Sequence, residues 1–118
     1  MTMRSPEMED KYKKARENGE LVPLSQEPQV PGAPDFHYWK IVSNRFPHDR
    51  HHTRHILIVL KRDCGVYQIC LEELEELWYQ VMPWAEDKFD CLKFNMRSLR
   101  SVNQTPHLHL LVIKDEYK

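Results

Sequence analysis

The sequence predicts an α+β fold in which an antiparallel sheet has a helix packed on one side. One reason is the β-branched and leucine run at residues 56–60, Ile-Leu-Ile-Val-Leu, which is typical of a buried strand. Another is that apolar residues repeat at helical spacing over residues 70–82. The third is the order of the segments, strand, strand, helix, strand, strand, which favours an α+β arrangement.

Each strand is indicated by its own local pattern. Residues 37–43 and 54–61 predict the first two strands, and the polar loop between them is rich in turn-forming residues. Residues 89–96 alternate in polarity, as a half-buried strand does. Pro106 then precedes a final strand over residues 107–114.

The helix is predicted to be amphipathic. Its apolar side chains are expected to pack on the sheet, and they are Leu71, Leu74, Leu77, Trp78, Val81 and Met82. Its carboxylates are assigned to the opposite, solvated face, and they are Glu72, Glu73, Glu75 and Glu76. Pro83 is expected to end or kink the helix, because proline lacks a backbone N–H group.

The chain divides into an N-terminal extension, residues 1–35, and a core-forming domain, residues 36–118. The extension is rich in proline and has no phenylalanine or tryptophan, so it offers little apolar surface to offset its ordering entropy. Met8, Tyr12 and Ala15 nevertheless fall at helical spacing. We expect a short helix followed by a proline-rich connector, with a disordered tail as the alternative.

Composition excludes several classes of protein. The 118 residues and 14.2 kDa suit one domain, and the 17 basic and 18 acidic residues give no global charge that would indicate a nucleic-acid partner. No apolar run approaches the roughly 20 residues of a membrane helix, and the N-terminus lacks the apolar core of a secretory signal. Cys64, Cys70 and Cys91 have no CxxC spacing, which indicates reduced thiols and a cytoplasmic protein.

Two histidines in the final strand are the first candidates for chemistry. Residues i and i+2 of a strand point to the same face, so His107 and His109 present two imidazoles side by side while Leu108 and Leu110 face the other way. Such a pair could bind a metal, provide an acid and a base, or supply a nucleophile that attacks phosphorus. The plain alternative is two histidines on a partly exposed sheet face.

Four more histidines surround the start of the second strand: His48, His51, His52 and His55. No cysteine or carboxylate stands near them at a familiar zinc spacing, so we predict no intrinsic metal site and no cofactor. The same stretch contains Arg45, Arg50 and Arg54, which suits a loop that faces phosphate. A nucleic-acid site would need more stacking side chains than Phe46 alone.

The final strand resembles the signature of the histidine triad (HIT) superfamily, in which three histidines alternate with apolar residues and two apolar residues follow. Residues 106–113, Pro-His-Leu-His-Leu-Leu-Val-Ile, match most of that pattern. Residues 54–62 resemble the family's histidine-led strand that ends in a basic pair. The glutamate-rich helix, the strand ending Lys93-Phe94-Asn95, and Asn44 with Pro47 also fall in the family order, so the resemblance spans roughly residues 38–113.

The chain departs from this signature at Leu111, where the family has its third histidine. A shifted alignment puts Thr105 at the first position and makes His107 and His109 the second and third. Gln104 favours the direct alignment, because the family often has a glutamine a few residues before the first histidine. The direct alignment makes His109 the middle histidine.

The resemblance implies chemistry at the α-phosphorus of a nucleotide. In the family the middle histidine attacks, a nucleotidyl-histidine forms, and water or another acceptor then takes the nucleotide. His109 is therefore expected to be the nucleophile, and His107 to position it or a phosphate oxygen. Asn95 is expected to bind the sugar or a phosphate, Asn44 the sugar, and His55 corresponds to an additional site histidine of the family.

Leucine at position 111 cannot donate a hydrogen bond to a phosphate or a leaving group. The candidates to replace that donor lie in the loop before the final strand, and they are Gln104, Arg97, Arg100 and Ser101. Two functions follow. The first is a nucleotide-binding hydrolase or nucleotidyl transferase, and the alternative is a catalytically weakened module that binds a nucleotide or a protein partner.

The expected partners are a nucleotide or nucleotide conjugate and a second copy of the chain, with no membrane. Trp78, Tyr79 and Trp84 are the aromatic side chains expected to form the interface of a homodimer.

Overall fold

The computed structural model describes residues 3–97 and 104–118. It contains a four-stranded antiparallel sheet with the order β1-β2-β4-β3. The strands are β1 (Trp39–Ser43), β2 (His52–Leu60), β3 (Cys91–Lys93) and β4 (His107–Ile113). The predicted α+β class, with an antiparallel sheet and a packed helix, is confirmed. The third strand is shorter than predicted, because the N–H group of Phe89 still donates to the carbonyl of Ala85 at the end of the preceding helix.

The central pair, β2 and β4, places apolar side chains on both faces of the sheet. Ile56, Ile58 and Leu60 belong to the main core with Leu110 and the helix. Leu57 and Val59 point the other way and pack with Val42 against Leu24 of the extension. A strand buried on both faces is apolar throughout, which explains the continuous run in β2.

The helical segment between β2 and β3 has three parts. It consists of α2 (Leu71–Glu76), a π-helical turn (Leu77–Val81) and α3 (Met82–Glu86). Pro83 does not end the helix. In the π turn the N–H group of Met82 donates to the carbonyl of Leu77, five residues back. This wider turn precedes Pro83, which occupies the first turn of α3, where a missing N–H group is tolerated.

The predicted orientation of this helix is wrong in its first two turns. Glu73 and Glu76 are buried, at 3% and 6% exposure, whereas Leu71 and Trp78 are 66% and 65% exposed. Leu74 is exposed as well, while Leu77 and Val81 face the core as predicted. The helix therefore turns two carboxylates inward and an apolar face outward.

The two buried glutamates face inward because their carboxylates accept hydrogen bonds there. The Glu76 carboxylate accepts hydrogen bonds from the N–H groups of His37, Tyr38 and Trp39, at 3.1, 2.7 and 3.2 Å. The Glu73 carboxylate receives both Nε and Nη2 of Arg62 at 2.8 Å, and this pairing holds the pKa of Glu73 down to about 2. The Glu76 carboxylate therefore joins the helix to the start of β1, and the Glu73 carboxylate joins it to Arg62, just after β2.

The N-terminal extension folds against the second face of the sheet, which is the face opposite the helix and contains Leu57 and Val59. Helix α1 (Pro6–Glu17) is capped by the Ser5 hydroxyl, and Gly19 follows with a positive φ of 68°. A 3₁₀ turn, Leu24–Gln26, follows the helix, and the chain then forms a bridge from Gln29 to Val42 along the outer edge of β1. In residues 3–97 and 104–118, no helix has the length and apolar character needed to cross a bilayer.

Replacing Glu76 tests the role of the buried carboxylates. Glu76→Gln puts an amide N–H group in place of a carboxylate oxygen, so one buried backbone donor loses its acceptor. We expect the free energy of unfolding in urea to fall by about 1–3 kcal/mol. The matched change Glu75→Gln, on the exposed face, is expected to alter stability by less than about 0.5 kcal/mol. Equal effects of the two substitutions would contradict this role for Glu76.

Candidate functional site

A cavity of about 320 Å³ lies between the extension and the second face of the sheet. His107 and His109 of β4 line it together with Leu57 of the neighbouring strand. Asn44, in the loop before β2, and Gln104, just before β4, also line it. Its size falls at the lower end of the range of small-molecule sites.

His107 has its ring orientation set by a backbone carbonyl. Its Nδ1 lies 2.9 Å from the carbonyl oxygen of Thr105, an atom that can only accept a hydrogen bond. This partner assigns the proton of the neutral ring to Nδ1 and the lone pair to Nε2. The side chain is 8% exposed and lines the cavity. His107 therefore has the tautomer of a base or a nucleophile.

His55 has the opposite tautomer. Its Nδ1 accepts the backbone N–H group of His48 at 2.9 Å and lies 3.3 Å from the side-chain nitrogen of Asn44. The Asn44 amide can be assigned because its oxygen accepts the N–H group of Phe46 at 2.9 Å. Since the His48 N–H group donates to Nδ1, the neutral His55 ring holds its proton on Nε2.

The proton of His55 determines the state of His109. The Nε2 atom of His55 lies 2.7 Å from Nδ1 of His109, so His55 donates and His109 accepts. Neutral His109 must then carry its own proton on Nε2. That atom is buried and has no hydrogen-bond partner among the described residues. A buried donor without an acceptor costs about 1–3 kcal/mol, which a bound acceptor would relieve.

The cavity thus contains two adjacent imidazoles with complementary roles. The ring centroids of His107 and His109 lie 5.2 Å apart. His107 offers a lone pair, and His109 offers an N–H group. This combination can attack an electrophilic atom and donate to an oxygen attached to it.

Burial keeps the cluster neutral at pH 7. Burial, helped by neighbouring histidines and cationic side chains, lowers the pKa of His48 to about 4, of His55 to about 2 and of His109 to about 3. His55 is affected by His48 and His109, and His109 by His107 and by Lys93, its Cα partner across from it on β3. The tautomers assigned to His55 and His109 therefore apply over the physiological pH range.

The structure brings some predicted site residues to the cavity and not others. His107, His109, Asn44 and Gln104 line it. His55 lies behind His109 rather than on the cavity wall. Asn95 follows β3, does not line the cavity and has a buried oxygen without a partner among the described residues.

Leu111, where the sequence resemblance leads one to expect a third histidine, lies next to this cluster. Leu111 is 3% exposed and is the Cα partner of His55 in the register of β2 and β4. Among the candidate replacements, Arg97 is exposed and does not line the cavity. Arg100 and Ser101 lie outside the described residues.

Three contributors were not found from the sequence. His48 supplies the backbone donor that determines the tautomer of His55, whereas the sequence analysis considered it only as a metal ligand. Arg4 and Tyr12 of the extension line the cavity opposite the histidines, and no spacing in the sequence links them to the final strand. In the part of the chain that is described, no group of three or more His, Cys, Asp or Glu side chains has the arrangement of a metal site.

No family model, curated protein or solved structure matches this chain.

The lowered histidine pKa values predict a pH-dependent stability. Between pH 6.5 and 4.5 the unfolded chain binds protons at its histidines, while His55 and His109 in the folded chain do not. The free energy of unfolding is therefore highest above pH 6.5 and falls on acidification, by up to about 1.4 kcal/mol per pH unit for each such histidine. Urea titrations across this pH range measure the slope.

Single replacements isolate the histidines responsible. His55→Asn and His109→Asn should each reduce the slope, whatever they do to stability at pH 7. His37→Asn, at an exposed position, should leave the slope unchanged. The same slope in all three variants would contradict the predicted pH dependence.

Proposed function

We propose that this chain has a HIT-like fold and is a nucleotide-binding hydrolase or nucleotidyl transferase that acts at an α-phosphorus through a histidine nucleophile. The observation that supports this most is the pairing of His107 and His109 with complementary tautomers at the cavity wall. Displacement at phosphorus needs a nucleophile beside donors that stabilise charge on the phosphoryl oxygens. The sequence resemblance in β2 and β4 supports the same chemistry.

His107 is the better nucleophile of the pair. Its Nε2 lone pair attacks the α-phosphorus, a N–P bond forms, and the bond to the leaving group breaks. The leaving group departs with the bonding electrons and takes a proton from solvent. Water then attacks phosphorus and loses a proton, the N–P bond breaks, and the lone pair returns to Nε2. An acceptor hydroxyl in place of water makes the reaction a transfer.

His109 stabilises the charge that develops in this reaction. Its Nε2–H group donates to a non-bridging phosphoryl oxygen, and His55 holds it in the donating tautomer. These roles agree with the shifted alignment, in which His107 is the middle residue. The direct alignment would instead make His109 the nucleophile, which requires its proton to move from Nε2 to Nδ1.

The remaining polar groups divide into positioning and binding residues. Asn44 uses both ends of its amide on Phe46 and His55, so it positions the histidines. Gln104 is exposed at the cavity and is the candidate for a contact to the sugar or a phosphate.

Cys64, Cys70 and Cys91 form no disulfide with one another, which supports a cytoplasmic location.

The proposed nucleophile can be tested by intact mass. Full-length protein is incubated at neutral pH with adenosine- and guanosine-based phosphoramidates and dinucleoside polyphosphates. We expect a nucleotidyl adduct and turnover, both lost in His107→Ala. His109→Ala should still form the adduct, about 10²- to 10³-fold more slowly, because it lacks one charge-stabilising donor. His37→Ala is the control and should react like the parent.

The outcomes separate the competing roles and functions. An adduct in His107→Ala together with none in His109→Ala would make His109 the nucleophile. Saturable nucleotide binding without adduct or turnover in the parent protein would contradict the proposed chemistry. It would favour the catalytically weakened binding module, for which Leu111 is the specific argument.

We also propose that the chain forms a homodimer through the outward face of α2. Leu71 and Leu74 of α2 and Trp78 of the following π-helical turn form an exposed apolar face, and Tyr79 of the same turn is exposed beside it. Trp84, which the sequence analysis included in the interface, is half-buried and packs edge-on to Phe36 with ring centroids 6.2 Å apart. It therefore belongs to the core.

Sedimentation equilibrium tests the dimer. Trp78→Glu should raise the dissociation constant of the dimer at least about tenfold, because an aromatic side chain buried in the interface is replaced by a charge. Tyr117→Ser, at an exposed aromatic residue outside this face, is the matched control and should leave it unchanged. A parent protein that stays monomeric at all accessible concentrations would contradict the proposal.

A further inference from the structure

The extension supplies the wall of the cavity that faces the histidines. Arg4, Tyr12 and Leu24 line that wall. Two other charged side chains among the described lining residues, Arg45 and Glu27, approach each other to 4.0 Å. Arg4 is the cation that the segment before α1 contributes to this wall.

Arg4 is held in place by several contacts. Its Nε–H group donates to the carbonyl of Phe46 at 2.7 Å, and its guanidinium carbon lies 4.5 Å from the centre of the Tyr12 ring. Its Nη1 lies 3.4 Å from the Glu9 carboxylate. A guanidinium has five N–H donors in a planar fork, a geometry that matches phosphate oxygens.

The segment around Arg4 is fastened to the loop that contains His48. The Ser5 N–H and hydroxyl groups donate to the two oxygens of Asp49, at 2.7 and 2.9 Å. The N–H group of Arg50 donates to the carbonyl of Met3 at 3.1 Å. The extension and the loop that orients His55 thus form one connected unit.

The positive charge of Arg4 affects the pKa of nearby histidines. It contributes to the lowered pKa of His48, His55 and His109, as does Lys93 for His48 and His109. Glu9 acts in the opposite direction on His48. Arg4, which lines the cavity, is therefore a cation close to the neutral imidazoles of His55 and His109, and its charge favours an anion there.

We propose that Arg4 binds the phosphate of the nucleotide and supplies the donor that Leu111 cannot. The phosphate lies between the guanidinium on the extension and the Nε2–H group of His109 on the sheet. This inference rests on the proposed function for the identity of the anion as a nucleotide phosphate. It makes the N-terminal extension part of the binding site.

Affinities for AMP and for adenosine separate phosphate binding from packing. Isothermal titration of the full chain with AMP should show a loss of about tenfold to a hundredfold in affinity for Arg4→Gln, with adenosine affinity unchanged. Arg4→Lys keeps the charge and should recover part of the loss. Arg16→Gln is the control, because Arg16 lies 5.6 Å from the same Tyr12 ring but does not line the cavity.

Each outcome bears on the inference. It is overturned if the parent protein does not bind AMP, if Arg4→Gln binds AMP like the parent, or if AMP and adenosine affinities fall equally. The nucleotidyl adduct provides the separate test of the proposed function. AMP binding that depends on Arg4 without any adduct would support the inference and refute the chemistry. A normal adduct with an AMP affinity that does not depend on Arg4 would refute the inference and support the chemistry.

Discussion

The antiparallel register of β2 and β4 is the constraint on which both the core and the site depend. It pairs Ile58 with Leu108 on the face that packs against the helix, and Leu57 with His109 on the face toward the extension. Side chains alternate along a strand, so a slip of one residue would send the histidines into the helix core and the leucines into the cavity. Apolar packing on the helix face thus keeps the histidines in place.

The chemistry of the site follows from polar contacts outside that register. The backbone N–H group of His48 donates to Nδ1 of His55, the Asn44 amide nitrogen lies beside the same ring, and the first of these contacts determines which nitrogen of His109 has a proton. The loop that provides these donors is fastened to the extension through Ser5 and Asp49. The first residues of the chain therefore influence a proton on β4 through a series of hydrogen bonds, each short enough to be specific.

The helix shows how buried polar groups can override an apolar pattern. Three backbone N–H groups at the start of β1 and just before it need acceptors, and the cost of leaving them unpaired exceeds the gain from burying a leucine at the same place. Glu76 meets that need, and Glu73 binds Arg62 beside it. The helix is rotated accordingly, and its apolar residues Leu71 and Trp78 are left on the outside.

The fold class, the approximate strands and the pairing of His107 with His109 on one face could all be predicted from local pattern, because they depend on residue type and on a period of two along a strand. The orientation of the helix could not, since it depends on backbone donors more than thirty residues away from the glutamates. Nor could the tautomer of His109 or the place of Arg4. Each depends on contacts between segments distant in the chain, which form only when the extension, the loop and β4 pack together.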